Sequence, residues 1–176
     1  MQIATSPTRT QFPLSTKKVL KKTIVGSIVW IVLFGFFVSF AGPMAFILSM
    51  DPGLRAIVGS LFFIITLFFV AIIVLTYLYQ RWYYAVYFYD LTPDYIIIRK
   101  GPITPREITI PYERIQDVYV DQDLFDRFFG LYDVHLSSAT VSSGMQAHID
   151  GVEKAAADGL RAQLLETVSR KIGRKS

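Results

Sequence analysis

Residues 110–134 read IPYERIQDVYVDQDLFDRFFGLYDV. A strand-like run at 115–120 breaks at Asp121 to Asp123, and a second run begins at Tyr132 after a short aromatic segment and Gly130. Strand, turn, glycine and strand make the pattern of a small β domain. Four carboxylates in the stretch, Asp117, Asp121, Asp123 and Asp126, raise the question of a metal or catalytic cluster. Their spacing lacks the Asp-x-Asp-x-Asp-Gly order and the terminal Glu of a calcium loop. The stretch therefore reads as architecture. Asp123 caps a helical turn, Phe125, Phe128 and Leu131 form an apolar plug beneath it, and Gly130 supplies a backbone conformation that other residues resist.

The same grammar extends in both directions. Residues 82–89 are aromatic and β-branched and end at Asp90-Leu91-Thr92-Pro93-Asp94; residues 95–100 follow and stop at Gly101-Pro102. Residues 106–110, 132–138 and 145–149 complete a set of six or seven short strands, with Ser142-Ser143-Gly144 as a turn. After that the period changes. Ala156, Leu160, Leu164, Val168 and Ile172 recur every four residues and predict one amphipathic helix. Asp150 and Glu153 have capping-box spacing, and Gly173 is a C-terminal stop.

Upstream the chain is of another kind. No charged residue occurs from Thr23 to Met50, and none from Ala56 to Gln80. Each block exceeds the ~20 apolar residues that cross a bilayer core, so spans are expected at about 23–48 and 56–80. The first block is longer than the h-region of a secretory signal and reads as a retained anchor. Residues 1–22 form a tail with Arg9, Lys17, Lys18, Lys21 and Lys22 and no acidic residue, whereas the 51–55 linker holds one charge of each sign. The positive-inside bias then predicts a cytoplasmic tail, an extracytoplasmic turn and a return to the cytoplasm, with Arg81 and a tyrosine- and tryptophan-rich belt at the inner end. Residues 82–172 become a cytoplasmic domain. The net charge of +4 resides in the tail, because Asp51 is the one acidic residue before Asp90. Such a tail is drawn to anionic lipid and is not the basic stripe of a nucleic-acid-binding domain. There is no cysteine, hence no disulfide and no thiolate chemistry.

Four pieces of the β region make one pattern: Leu91-Thr92-Pro93-Asp94, Arg99-Lys100-Gly101, Ile110-Pro111-Tyr112-Glu113-Arg114-Ile115-Gln116-Asp117-Val118, and Phe128-Phe129-Gly130-Leu131-Tyr132-Asp133-Val134. The pattern resembles the prokaryotic pleckstrin-homology-like (PH-like) family of membrane-flanked domains over nearly all of residues 82–170, and the paired upstream spans suit that family too. The resemblance implies a β-sandwich or partly open barrel with a C-terminal capping helix. It implies no particular activity. One departure is Ser138-Ala139-Thr140, where the family often has a small residue followed by Ala-Gly.

Chemistry is otherwise scarce. His135 and His148 alternate with apolar neighbours and are expected to face each other on the polar side of paired strands, too few ligands for a zinc site by themselves. The serines lack a Gly-x-Ser-x-Gly elbow, and no glycine loop suits a phosphate. No catalytic residue, metal site or cofactor is expected. Arg99, Lys100 and Arg106 bracket the 101–105 loop and are candidates for contact with anionic headgroups; Lys17, Lys18, Lys21, Lys22 and Arg81 are the membrane-proximal cations. The expectation is a non-enzymatic, membrane-anchored binding or scaffold module in the plasma membrane, both termini cytoplasmic. It would meet membrane lipids and recruit a protein partner or self-assemble as a homo-oligomer. The alternatives are an anionic-lipid-binding domain and a small transport or channel component, against the latter of which stands the lack of ionisable residues other than tyrosine within the spans.

Overall fold

A computed structural model describes residues 6–138 and 147–173. It divides into two compact units, Met1–Lys21 with Trp82–Ser176, and Lys22–Arg81. Helix α1 (Pro7–Gln11) is followed by two 32-residue helices, α2 (Lys17–Leu48) and α3 (Arg55–Val86). Then come β1 (Phe88–Leu91), β2 (Tyr95–Lys100), β3 (Arg106–Pro111), a 3-10 turn (Tyr112–Arg114), β4 (Ile115–Asp121), α4 (Leu124–Phe129), β5 (Leu131–Ser138), β6 (His148–Glu153) and α5 (Lys154–Gly173).

Within Lys22–Arg81, the two helices meet through rings. Phe34 and Phe69 lie 5.2 Å apart and Phe37 and Phe62 5.3 Å apart, while Gly26 admits Thr76 at close range. Within the apolar stretches Thr66 bonds to the Phe62 carbonyl and Thr76 to the Ile72 carbonyl, four residues back, which meets their polarity, whereas the buried Ser27 hydroxyl has no such partner among the described residues. Asp51 closes the connecting turn: its backbone carbonyl accepts from Leu54 and Arg55 and its side chain from Gly53. Both helices are long and apolar enough to cross a membrane. Each is about 48 Å long at 1.5 Å per residue, well beyond a hydrocarbon core of about 30 Å.

In the other unit, β1-β2-β3 and β4-β5-β6 form two antiparallel three-stranded sheets. Their buried faces share one core, with Tyr89, Ile96, Ile98 and Ile110 from the first sheet and Val118, Val134, Leu136 and Ile149 from the second. Helix α5 packs on β4, β5 and β6 and buries Ala157, Leu160 and Leu164 completely.

Several expectations are corrected. Residues 82–86 are the last turn of α3, and the strand starts only at Phe88. The aromatic side chains that suggested a strand serve the core from a helix end, where Tyr87 N–H bonds to Tyr83. Asp150 and Glu153 do not cap a helix; they lie in β6, and α5 begins at Lys154. Along α5 the stripe ends early, since Ile172 is exposed. Of the supposed plug of Phe125, Phe128 and Leu131, only Leu131 is buried, whereas Phe125 is 37% and Phe128 82% exposed. Gly130 does take the left-handed conformation, at φ +66°, and Asp123 caps α4 with a reciprocal bond to Asp126. The expected 142–144 turn lies outside the described residues.

Candidate functional site

The largest departure from the sequence reading is the N-terminal segment. Residues 6–16 form a strap bound across the β domain. Its Ser6 and Thr8 hydroxyls donate to the Asp90 carboxylate at 2.8 and 2.7 Å, and Ser6 also reaches the Tyr89 carbonyl. Leu91 N–H donates to Thr8 Oγ1, and Arg9 donates to the carbonyls of Tyr84 and Tyr87. Further on, Leu14 makes an antiparallel bridge to Val152, and Ser15 N–H donates to the Gly151 carbonyl at 2.9 Å. Tyr84 and Tyr89 hydroxyls donate to the Leu14 and Phe12 carbonyls. Gly159 of α5 leaves room for the Phe12 ring, because a Cβ there would stand 2.3 Å from Phe12 Cε1.

β1 and β6 are end strands of their sheets, and an end strand presents unpaired backbone groups. The strap occupies such groups on both. No described strand pairs with the outer side of β3.

The lysines that follow the strap are drawn into the fold. Lys18 forms a direct ion pair with Asp150, donates to the Asp150 carbonyl at 3.0 Å and stands 4.0 Å from the Tyr87 ring centre. Its side chain is 3% exposed and that of Asp150 9%. Gly151, at φ +76°, has the Lys18 stem where a side chain would go. Lys21 reaches Asp123 at 2.8 Å and Asp126 at 2.5 Å. Burial pushes the Asp123 carboxyl upward, but the bonds from Lys21 and from Asp126 N–H outweigh it and hold the group below the usual carboxylate range. Lys17 makes a loose, exposed pair with Glu153 at 3.6 Å. Lys18 and Lys21, read from the sequence as lipid-facing, are thus buried counter-ions of the β domain.

The basic hairpin remains on the surface. Arg99 is neutralised by Glu107 at 2.6 Å and lies near the Phe88 ring. Lys100 and Arg106 are directly opposite each other in the register of β2 and β3. Ile103, at the tip of the loop between them, is exposed.

On the other sheet, Tyr119, His135 and His148 form a stacked row, with ring centres 5.0 and 5.3 Å apart. The facing of the two histidines matches the sequence expectation. His135 Nε2 lies 3.1 Å from Asp121, and donor atoms of Asp121, Asp133 and His135 all fall within 4.8 Å of one another. One Asp133 oxygen is already held by Gly151 N–H at 2.8 Å. The register, which sets Asp121 opposite Asp133 and Tyr119 opposite His135, builds this group. The sequence spacing alone offered no sign that Asp133 joins it.

Two antiparallel sheets with a helix packed on one of them, preceded by two long apolar helices, define a PH-like module of the kind that is generally non-catalytic. The chain belongs to the bacterial PH domain family, whose model matches residues 24–168 and so takes in both apolar helices and the β domain. No curated protein and no solved structure matches the chain.

Proposed function

We propose that the protein is a non-enzymatic, membrane-anchored binding module. It recruits a protein partner, or a further copy of itself, to the cytoplasmic face of the plasma membrane. In this reading α2 and α3 span the bilayer, both termini are cytoplasmic, and the two sheets act as a PH-like sandwich. The observation that carries it is the uneven treatment of sheet ends. The strap occupies backbone groups of β1 and β6, while β3 keeps an outer side with no described strand against it. An edge of this kind suits strand addition. Lys100, at the end of β2, and Arg106, opposite it at the start of β3, supply a secondary contact with anionic headgroups.

A photoreactive residue at Thr109, an exposed position on β3, tests the edge in native membranes. Adducts to one defined protein or to a second copy support recruitment or self-assembly. Adducts to lipid alone, or none while a probe at Glu166 captures protein, overturn the role of β3. Reporter fusions at Ser176 and within the 51–55 linker test orientation: an extracytoplasmic C-terminus sinks the topology.

A further inference from the structure

Helix α4 exposes three large apolar side chains, Leu124, Phe125 and Phe128. The helix is held firmly, by the Asp123–Asp126 capping box at one end and the left-handed Gly130 at the other. Large apolar groups on a fixed element, turned away from the core, mark contact with something apolar.

A second observation says what that is. Lys21 grips the first turn of α4 through Asp123 and Asp126. Only Lys22 separates Lys21 from the uncharged run that starts at Thr23. Two helical residues advance about 3 Å, so the lysine that holds α4 lies within one helical turn of the start of the uncharged run. Charge agrees with that position. Lys21 offsets the two α4 carboxylates, Arg127 is exposed beside Phe128, and interfacial helices combine such apolar and cationic groups on anionic leaflets.

We propose that α4 is an interfacial membrane anchor: Leu124, Phe125 and Phe128 enter the boundary between headgroups and acyl chains of the leaflet from which the first apolar helix departs, with Arg127 at the lipid phosphates. The proposal rests on reading residues 23–48 as a membrane span. It gives the β domain a second attachment to the bilayer besides its covalent links.

The absence of cysteine makes the test direct. The full chain carrying Phe128→Cys, labelled with an environment-sensitive fluorophore, is reconstituted into vesicles of phosphatidylcholine and phosphatidylglycerol; Glu166→Cys serves as the reference. The Phe128 probe is expected to shift to the blue and to lose about half or more of its emission to lipids bearing a shallow nitroxide, while resisting aqueous iodide. The Glu166 probe should behave in the opposite way. Leu124→Cys is expected to repeat the Phe128 result. Flotation with vesicles after an alkaline wash reads the membrane span separately. Failure to float overturns the span and the anchor together. Flotation with an iodide-sensitive Phe128 probe overturns the anchor alone, and so does a blue-shifted probe that neither quencher reaches, since that is the mark of contact with a second copy.

Discussion

Replacing Lys18 with Met separates the two roles that this residue has been given. The change keeps the length and apolar stem of the side chain and removes its charge. In the fold, that leaves the Asp150 carboxylate 9% exposed and without the ammonium that forms its direct ion pair. The Asp150 carbonyl also loses its 3.0 Å donor, and the Tyr87 ring loses a cation 4.0 Å from its centre. Removing one partner of a buried ion pair costs about 3–5 kcal/mol, mostly through the uncompensated charge that remains. Total stability of a domain is about 5–15 kcal/mol, so the variant should be severely weakened. With a urea dependence of about 1–3 kcal/mol per molar, the midpoint should fall by roughly 2 M. The assay is urea unfolding of the full chain in non-ionic micelles, followed by a brief protease pulse that digests opened β domain. Lys17→Met is the control, since its pair with Glu153 is exposed and such pairs are worth about 0–1 kcal/mol. Adding Asp150→Asn to Lys18→Met should restore much of the loss, because no unpaired charge is then buried. If Lys18→Met and Lys17→Met unfold together near the wild-type midpoint, Lys18 is a lipid-facing cation after all, and the strap is not part of the fold.

Leu164→Ala should cost about 2–5 kcal/mol, since its side chain is fully buried under α5, whereas Arg161→Ala on the exposed face should be mild. Hydrogen exchange should find the backbone around Leu160 and Leu164 protected; free exchange there would end the idea that α5 completes the core. Gly159→Ala places a Cβ against the Phe12 ring and should cost about 1–3 kcal/mol through overpacking, with relief when Phe12 is also made Leu. The pH dependence has two arms. Asp123 lies below its ordinary range when folded, so its contribution is present above about pH 4 and disappears as the pH falls through the folded value. Burial, then the charges of Asp90 and Asp94, push the Tyr112 hydroxyl up to about 12, so stability should decline as pH rises from about 10 toward 12, where unfolded tyrosine ionises first. Tyr112→Phe should make the alkaline arm shallower without removing it, since burial also pushes the Tyr87 and Tyr89 hydroxyls up; circular dichroism against pH reads the difference.

Local rules are strong enough to read much of this chain directly. Two charge-free blocks mark long apolar helices because an uninterrupted apolar run has few other places to go. Gly130 and Asp123 were legible because a left-handed residue and a helix cap each depend on one side chain and its immediate neighbours. The strands β2 to β5 follow from alternation bounded by turn formers, and the α5 stripe from its four-residue recurrence. The facing of His135 and His148 followed from the same strand reasoning.

What distant segments do to one another had no such local sign. The lysines at 18 and 21 look like any basic tail beside a membrane; only the fold brings Asp150, Asp123 and Asp126 to them, across more than a hundred residues of chain. Strand ends behave likewise. That Ser6, Thr8 and Leu14 occupy β1 and β6 while β3 stays open depends on which surfaces meet, and hydrogen bonds between remote backbones leave no period in the sequence. The exposure of Phe128 is the sharpest case. Composition makes an aromatic in a turn look like a core plug, yet of Phe125, Phe128 and Leu131 only Leu131 is buried. Apolar character is written in a residue; whether it is spent inside the domain or at its surface is decided by packing, because only one set of side chains can fill a given volume.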